Sequence, residues 1–514
     1  MQIPLTVSDF LARAAQVYGD RTACVDEPDQ PASSWGAITY RGMAELARAQ
    51  AAGLDRLGVG PGARVAMVSH NSARLLTAFF GVSGHGRVLV PVNFRLSAEE
   101  VAYIVEHSGA EVLLVDPELD EALAAVAAKH RFVIGAESDA ELYDFGVEPI
   151  AHPIGENDTA TVNYTSGTTA RPKGVQLTHR NLWLNAVLMG LHLGANDRDV
   201  YLHTLPMFHC NGWGMPYVIT GLGGKHIVLR KVDGAEILRR VAEHGVTLLC
   251  GAPTVVAMVL AAAKDWDGPI PGRDRVRIVV AGAPPPSTVI QQVEEVLGWE
   301  FAQIYGLTET APLLTVNRTR SEWDGFTPSE RADLLMRAGA PALGTRLVTD
   351  DEGEVLAQSN VVSAGYWRQP EASADALRDG WFHTGDGGVI GDDGFLTISD
   401  RKKDVIITGG ENVSSIEVED ALYKHPAVAE AAVIGVPDDK WGETIKALIV
   451  LREETTARAT SGAELIAHCK GLLASFKAPT SVEFRETLPR TATGKLQKFK
   501  LREPYWRGRS RQVN

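Results

Sequence analysis

Apolar and polar residues alternate with two different periods through the first two-thirds of the chain. Apolar residues at helical spacing predict helices over residues 43–57, 73–82 and 235–243. Short apolar runs between them predict strands over residues 64–69, 111–116, 160–164, 225–229, 247–251 and 276–281. Strands that alternate with helices indicate α/β layers built on a largely parallel sheet. In such sheets ligands bind beyond the carboxyl ends of the strands.

The pattern changes after about residue 340. Short β patterns rich in glycine and aspartate fill residues 380–400, and a charged break follows at residues 401–404. Beyond this break the pattern predicts a small α+β unit, with helices over residues 415–424 and 462–474 and strands over residues 430–436 and 445–451. We therefore predict an N-terminal domain over residues 1–400, a hinge at 401–404 and a C-terminal domain over residues 405–514.

Length, charge and cysteine content narrow the class of protein. A chain of 514 residues exceeds what one hydrophobic core normally supports, so two or more domains are expected. The net charge of −14 argues against non-specific nucleic-acid binding, which needs clustered basic residues. The four cysteines form no CxxC pair, so neither a zinc site nor a disulfide framework is indicated. With no signal pattern and no transmembrane run, the sequence predicts a cytoplasmic protein.

A decamer that follows the strand predicted over residues 160–164 combines hydroxyls, glycines and a lysine. Residues 165–174, here called the phosphate loop, read Thr165-Ser166-Gly167-Thr168-Thr169-Ala170-Arg171-Pro172-Lys173-Gly174. Small hydroxylated residues offer N–H and O–H donors without bulk, and Lys173 adds a positive charge, so the segment suits a polyphosphate. A plain surface turn is the alternative. The ordinary nucleotide P-loop is disfavoured, because Pro172 has no N–H and Gly174 stands where Ser or Thr would bind Mg²⁺.

Four further segments are dense in reactive or nucleotide-compatible residues: residues 281–284, 305–310, 381–386 and 489–495. Together with the phosphate loop and residues 400–419 they resemble the adenylate-forming superfamily of acyl- and aryl-CoA synthetases, luciferases and adenylation domains. This resemblance covers the chain from about residue 160 to its end. It implies a large N-terminal domain of layered α/β subdomains with a small β-rich subdomain, followed by a small mobile α+β C-terminal domain. It also implies ATP-dependent activation of a carboxylic acid as acyl-AMP, with transfer to coenzyme A.

The resemblance assigns an ATP site to residues dispersed along the chain: Thr165, Ser166, Gly167, Thr168, Thr169, Lys173, Gly282, Ala283, Pro284, Tyr305, Gly306, Thr308, Asp386, Arg401 and Lys495. Thr308 would contact the α-phosphate, and Glu309 would help to bind Mg²⁺, a hard ion for which one carboxylate plus phosphate oxygens suffices. Asp386 would accept hydrogen bonds from the ribose, residues 282–284 would flank the adenine, and Tyr305 would cover its face. Lys495 would stabilise charge at the α-phosphate, so the implied catalytic set is Lys495, Thr308 and Glu309.

The resemblance also implies residues for the acid and for the second half-reaction. His209, Trp213 and Gly306 would line the acyl pocket, although a histidine in an aromatic stretch is more often packed core. Lys403 would be the hinge about which the small domain turns. The CoA path would include Gly409, Gly410 and Trp441, whose alternative is an ordinary hairpin. Small residues near the implied pocket favour a medium- or long-chain fatty acid or a bulky ring acid over acetate; they are Gly251, Ala252, Pro253, Ala281 and Gly306.

Two other functions and one departure stay open at this stage. The acceptor of the acyl group could be the phosphopantetheine of a carrier protein instead of CoA, or the chain could be a non-catalytic acyl- or nucleotide-binding protein. Retention of the implied catalytic residues counts against the binding protein. A homodimer is also left open. The stretch 343–367 looks shortened relative to the superfamily pattern, so a trimmed small subdomain is expected there.

Overall fold

The computed structural model describes residues 2–165, 171–283, 285–401, 405–408, 411–438, 441–452, 460–491 and 496–507. The helices are α1 Ser8–Val17, α2 Tyr40–Arg56, α3 Ala73–Gly81, α4 Ala98–Ser108, α5 Ala136–Leu142, α6 His179–Leu193, α7 Met215–Leu222, α8 Gly234–His244, α9 Pro253–Lys264, α10 Ser287–Gln292, α11 Pro328–Leu335, α12 Pro370–Ala376, α13 Ser415–Tyr423, α14 Gly462–Leu472 and α15 Lys498–Trp506.

Strands alternate with these helices and then dominate the stretch before the C-terminal unit. They are β1 Thr22–Val25, β2 Ala37–Thr39, β3 Arg64–Val68, β4 Val88–Val92, β5 Ala110–Val115, β6 His130–Val133, β7 Thr159–Thr165, β8 Lys173–Thr178, β9 Val200–His203, β10 Lys225–Val228, β11 Leu248–Gly251, β12 Arg277–Val280, β13 Glu300–Tyr305, β14 Thr315–Arg318, β15 Ala340–Pro341, β16 Arg346–Thr349, β17 Glu354–Gln358, β18 Gly365–Tyr366, β19 Phe382–Ile390, β20 Leu396–Arg401, β21 Ile406–Thr408, β22 Glu411–Val413, β23 Val428–Asp438, β24 Gly442–Leu451 and β25 Ser481–Phe484. The predicted α/β class is confirmed.

Two large sheets form the body of the N-terminal part. One has the order β15-β14-β13-β12-β11-β9-β10-β1-β2, and the other has the order β18-β8-β7-β4-β3-β5-β6. Their central strands pair in parallel, as the sequence predicts, whereas the outer pairs β1–β2, β13–β14, β14–β15, β7–β8 and β8–β18 are antiparallel. The carboxyl ends of β12 and β13 therefore lie side by side at one edge.

Helix α3 lies in the core that the two sheets share. Every one of its residues, Ala73–Gly81, is buried. Its residues are apolar apart from Arg74 and Thr77, and its Leu and Phe side chains pack in one cluster with Met67 of β3 and Tyr201 of β9. Ser72 caps its start by accepting from the Leu75 N–H. The shared core fixes the two sheets against each other.

A third sheet, β16-β17-β19-β20, is the small β-rich subdomain implied by the resemblance. The stretch expected to be trimmed supplies β16 and β17 to this sheet, and it supplies β18 to the second large sheet. A tight turn at residues 350–353 joins β16 to β17, with Gly353 at φ +79°. Residues 343–367 therefore contribute strands to two sheets although the connection between β16 and β17 is short.

The C-terminal unit is built on β22-β21-β24-β23, with β25 paired to β24. Helices α13 and α14 pack on one face of this sheet and α15 on the other. Asp420 of α13 accepts hydrogen bonds from the N–H and the hydroxyl of Ser287 at the start of α10, at 3.0 and 3.1 Å. The predicted domain boundary stays a prediction, because residues 402–404 lie outside the described part. No helix within the described ranges is long and apolar enough to cross a membrane.

Candidate active site

The ends of the phosphate loop meet at the mouth of a hairpin. β7 and β8 are antiparallel, and Thr165 is paired with Lys173 across the two strands. The first strand was predicted and the second was not, although the alternating residues 173–178 lead directly to the Thr178 cap of α6. The candidate phosphate ligands Ser166, Gly167, Thr168 and Thr169 lie outside the described residues, so their role stays a prediction.

A tyrosine joins the phosphate-loop lysine to the candidate magnesium ligand. The Lys173 Nζ lies 4.7 Å from the centroid of the Tyr366 ring, and the Tyr366 hydroxyl donates to Oε1 of Glu309 at 2.9 Å. Tyr366 reaches this position because β18 pairs with β8 at Val175. Burial and then the Glu309 carboxylate raise the pKa of the Tyr366 hydroxyl, so it stays a donor. Tyr366 has no sequence signal as a site residue, since its neighbours carry no motif of their own.

Glu309 is held by the turn that follows β13. Thr310 is buried, accepts from the Leu307 N–H at 3.0 Å and donates to the Pro312 carbonyl at 2.7 Å. A Cβ at Gly306 would lie 1.5 Å from that same carbonyl oxygen. The glycine assigned to both the nucleotide and the acyl pocket is therefore required by the close approach of two backbone segments.

Glu309 is the carboxylate of this turn that could bind a metal ion. No group of three or more His, Cys, Asp or Glu side chains that could hold a metal is present in the described part of the chain. Glu309 is half-buried, and its Oε1 is oriented by Tyr366. Mg²⁺ is commonly bound by one or two carboxylates together with phosphate oxygens and water, so this donor set fits Mg²⁺ in the presence of a polyphosphate.

Tyr305 and Asp386, predicted to hold the adenine and the ribose, are brought together. The Tyr305 hydroxyl donates to Oδ2 of Asp386 at 2.9 Å, and Asp386 is 8% exposed. Tyr305 is the last residue of β13, whereas Asp386 lies on β19, opposite the backbone of Arg401 on β20. The Arg401 side chain lies outside the described residues. Tyr305 and Glu309 flank the same turn, so both predicted parts of the ATP site meet at the end of β13.

A buried carboxylate that sequence analysis did not select supports Asp386. Glu354, 6% exposed, accepts from the Gly385 N–H at 2.9 Å, and its Oε2 lies 3.5 Å from Nδ1 of His383. Gly385 has φ +71°, in the left-handed region that glycine adopts without strain. Glu354 thus fixes the backbone directly before Asp386. Its position in a run of acidic residues, 350–354, gave no sign of burial.

Gly282 lies at the same edge of the sheet. It follows β12 and has φ +93°, and among the described residues no atom lies within 4 Å of a Cβ added there. A flat ring could approach the backbone at this point, as predicted for adenine. Ala283 next to it is half-buried. Pro284 lies outside the described residues.

The segment predicted to line the acyl pocket adopts a rare conformation. Cys210, Asn211, Gly212, Trp213 and Gly214 all have positive φ, between +46° and +81°, which makes a left-handed turn. Each non-glycine residue in this region costs about 1–2 kcal/mol, so surrounding contacts must hold the turn. Trp213 is buried, and His209 directly before the turn is half-buried. The Cys210 Sγ lies 4.0 Å from the Thr308 carbonyl oxygen, which places the turn beside the Glu309 segment.

The predicted catalytic and CoA residues are described only in part. Lys495, Lys403, Gly409 and Gly410 lie outside the described residues, so their assignments stay predictions. Trp441 is 50% exposed, and its backbone N–H donates to Oδ1 of Asp438 at 2.9 Å. Its assignment to the CoA path stays a prediction.

Comparison with known proteins finds relatives that match this chain over nearly its whole length. Residues 11–367 match the family described as AMP-binding enzyme, and residues 417–495 match the AMP-binding enzyme C-terminal domain. The chain is 38% identical to 2-methylpropanoate–CoA ligase CCL4 of Humulus lupulus, over 97% of this chain and 95% of that protein. It is 37% identical to probable acyl-activating enzyme 5, peroxisomal, of Arabidopsis thaliana, over 97% and 96% of the two chains. It is also 37% identical to 4-hydroxybutyrate–CoA ligase 2 of Metallosphaera sedula, over 97% and 94%.

Solved structures of CoA ligases share the whole architecture. The anthranilate CoA ligase AuaEII in complex with anthranoyl-AMP is 28% identical and superposes with a TM-score of 0.86 over 98% of each chain. O-succinylbenzoate CoA synthetase (MenE) of Bacillus subtilis, in complex with ATP and magnesium ion, is 28% identical with a TM-score of 0.81, over 96% of this chain and 99% of that one. Since both the sequence match and the fold extend over nearly its full length, the chain belongs to the AMP-binding enzymes, the adenylate-forming superfamily of acyl-CoA synthetase type.

Proposed function

We propose that this chain is an AMP-forming acid–CoA ligase that acts on a small-molecule carboxylic acid. The observation that carries the proposal is a pair of contacts at the end of β13. Tyr366 joins Lys173 to Glu309 there, and Tyr305 donates to Asp386. A cation, a half-buried carboxylate and a ribose-compatible carboxylate at one strand end suit a nucleoside triphosphate.

In the first half-reaction, a carboxylate oxygen of the acid attacks the α-phosphorus of ATP, and pyrophosphate leaves. This displacement needs neutralisation of charge and positioning more than proton transfer. Lys173 and the other residues of the phosphate loop would hold the β- and γ-phosphates, and Thr308 would contact the α-phosphate. Glu309 would hold Mg²⁺, whose charge offsets that of the phosphates. Lys495 would stabilise the charge that develops at the α-phosphate.

In the second half-reaction, the thiol sulfur of CoA attacks the acyl carbonyl, and AMP leaves. This step requires that Lys495 move away and that a path for the thiol form. We assign both changes to a rotation of the C-terminal domain about Lys403. Gly409, Gly410 and Trp441 would line this path. A carrier-protein phosphopantetheine is the alternative acceptor, and the names of the relatives, which are CoA ligases, favour CoA.

The size of the acyl group distinguishes the candidate substrates. Sequence analysis predicted a medium- or long-chain fatty acid or a bulky ring acid, from the small residues near the pocket. Two of these residues have a packing reason: a Cβ at Gly306 would meet a carbonyl oxygen at 1.5 Å, and one at Gly251 would meet the Val255 Cβ at 2.9 Å. A short aliphatic acid is the second candidate, favoured by relatives named for 2-methylpropanoate and 4-hydroxybutyrate.

Acid-dependent exchange of labelled pyrophosphate into ATP tests the proposal across one panel. The panel contains acetate, 2-methylpropanoate, 4-hydroxybutyrate, octanoate, palmitate and benzoate, each with and without CoA, and thioesters are identified by mass spectrometry. We expect exchange with at least one acid and the matching acyl-CoA when CoA is present. No exchange with any acid would contradict adenylation, whereas exchange without thioester would reject CoA as the acceptor.

A further inference from the structure

Three buried polar side chains close a ring of hydrogen bonds beneath the left-handed turn of residues 210–214. Asn211 Nδ2 donates to Thr161 Oγ1 at 2.8 Å, the Thr161 hydroxyl donates to Asn163 Oδ1 at 2.9 Å, and Asn163 Nδ2 donates to Asn211 Oδ1 at 3.0 Å. None of the three residues is more than 2% exposed. Each group both donates and accepts, so the ring leaves no member without a partner and its bonds polarise one another.

The ring joins two parts of the proposed active site. Thr161 and Asn163 lie on β7, two residues apart and on one face, and this strand continues to Thr165 at the start of the phosphate loop. Asn211 lies in the turn that begins after His209 and contains Trp213. The strand that leads to the phosphates is therefore tied directly to the segment assigned to the acid.

Asn211 satisfies two conditions at once. Its φ of +51° lies in the left-handed region, which asparagine enters more readily than most residues that have a side chain. Its amide also supplies both a donor and an acceptor toward β7. At the other end of the turn, Asn185 Nδ2 donates to the Trp213 carbonyl at 3.3 Å, so the turn is held from both sides.

We infer that Asn211 is a positioning residue for acid selection: its hydrogen-bond ring with Thr161 and Asn163 fixes the turn that carries Trp213, and thereby the shape of the acyl pocket. This inference rests on the proposed function. The ligand concerned is the carboxylic acid, distinguished by the size of its acyl group. Without the ring, the turn can relax from its left-handed conformation, and the pocket wall moves with it.

Matched substitutions distinguish the loss of the ring's hydrogen bonds from the loss of side-chain volume. Thr161→Val keeps the shape of the side chain and removes the hydroxyl, whereas Thr161→Ser keeps the hydroxyl. Asn211→Gly keeps the left-handed backbone and removes the amide. Asn317→Ala removes a different buried amide, one that donates to the Leu334 and Arg337 carbonyls, and serves as the control for loss of stability.

For Thr161→Val and Asn211→Gly we expect the ratio of kcat/KM between 2-methylpropanoate and octanoate to change by about tenfold, the equivalent of about 1.4 kcal/mol. The KM for ATP should stay within about twofold, and Thr161→Ser and Asn317→Ala should keep the wild-type ratio. Pyrophosphate exchange measures the adenylation of each acid even if no thioester forms. The test therefore holds whether the acceptor is CoA or a carrier protein. An equal loss for every acid, or an unchanged ratio in both ring variants, would overturn the inference.

Discussion

At the scale of single residues, the candidate site depends on one carboxylate and on what surrounds it. Glu309 would meet a metal and the phosphates, and the Tyr366 hydroxyl fixes its direction. The residue type follows from the sequence motif, but the orientation follows from a contact between residues 57 positions apart. Both can be tested separately, because one substitution removes the charge and the other removes the support.

Glu309→Gln removes the charge and keeps the size of the side chain. We expect pyrophosphate exchange to fall by about 10²–10³-fold, the usual loss when one preorganised charge-stabilising group is removed. Raising the Mg²⁺ concentration should recover part of the rate. Glu322→Gln, at an exposed carboxylate, is the control and should stay within about twofold of wild type. A rate for Glu309→Gln equal to that of the control would show that the carboxylate is not a metal ligand.

Tyr366→Phe removes the hydroxyl and keeps the ring under Lys173. A hydrogen bond to a charged group contributes about 1.5–3 kcal/mol, so a fall in kcat of about 10–100-fold is expected if the bond persists in the transition state. Tyr366→Leu also removes the ring beneath the Lys173 ammonium, and the KM for ATP should then rise as well. Steady-state kinetics of both variants measure the two effects. If Tyr366→Phe keeps the full kcat, the hydroxyl does not orient Glu309 for catalysis.

At the scale of elements, the sequence predicted the central strands and helices to within a few residues. Helix α8, predicted over residues 235–243, spans Gly234–His244, and the strand predicted over 160–164 spans Thr159–Thr165. These elements are long or strongly apolar, so their local pattern suffices. β18 has two residues, too few for a local signal. β8 has an alternating pattern, but this pattern does not record the antiparallel pairing with β7.

The turn after β13 offers a test of an element instead of a side chain. In Gly306→Ala the new Cβ would lie 1.5 Å from the Pro312 carbonyl oxygen, so one backbone segment must move. We expect a loss in the free energy of unfolding of about 1–3 kcal/mol, together with weaker ATP binding because Glu309 shifts. Gly325→Ala, where a Cβ meets nothing within 4 Å, is the matched control and should be near neutral. Urea unfolding measures the stability of both variants. Equal stability would contradict the close approach of the two backbone segments at Gly306.

At the scale of the whole molecule, buried neutral histidines make stability depend on pH. His203 of β9 and His226 of β10 are fully buried, and their Nε2 and Nδ1 atoms are 3.0 Å apart. Burial lowers the pKa of His226 to about 3, and it lowers the pKa of His203 well below its usual value. The unfolded chain binds protons below about pH 6.5, where the folded chain does not, so stability is lost as the pH falls from about 6.5 toward 3.

We therefore expect the Tm to fall between pH 6.5 and 4, because the free energy of unfolding falls by up to about 1.4 kcal/mol per pH unit for each buried histidine. His226→Gln keeps hydrogen-bonding groups and removes one titration, so its profile should be shallower even if the variant is less stable overall. Asn317→Ala, which removes a buried amide and no titrating group, is the control and should keep the wild-type slope. Scanning calorimetry across the pH range gives the comparison. A slope for His226→Gln as steep as that of wild type would contradict the assignment.

Residue types alone predict the candidate chemistry, because the phosphate loop, Glu309, Asp386 and Lys495 lie in recognisable motifs. Hydrophobic periodicity places these motifs between the elements of an α/β chain. The tertiary structure alone decided which of them meet. Tyr366 joins Lys173 to Glu309, and Glu354 supports the strand of Asp386. The closed ring of Asn211 with β7 arises in the same way. Periodicity records which face of an element is buried, but sheet pairing and the closure of long loops set the distances between side chains far apart in sequence.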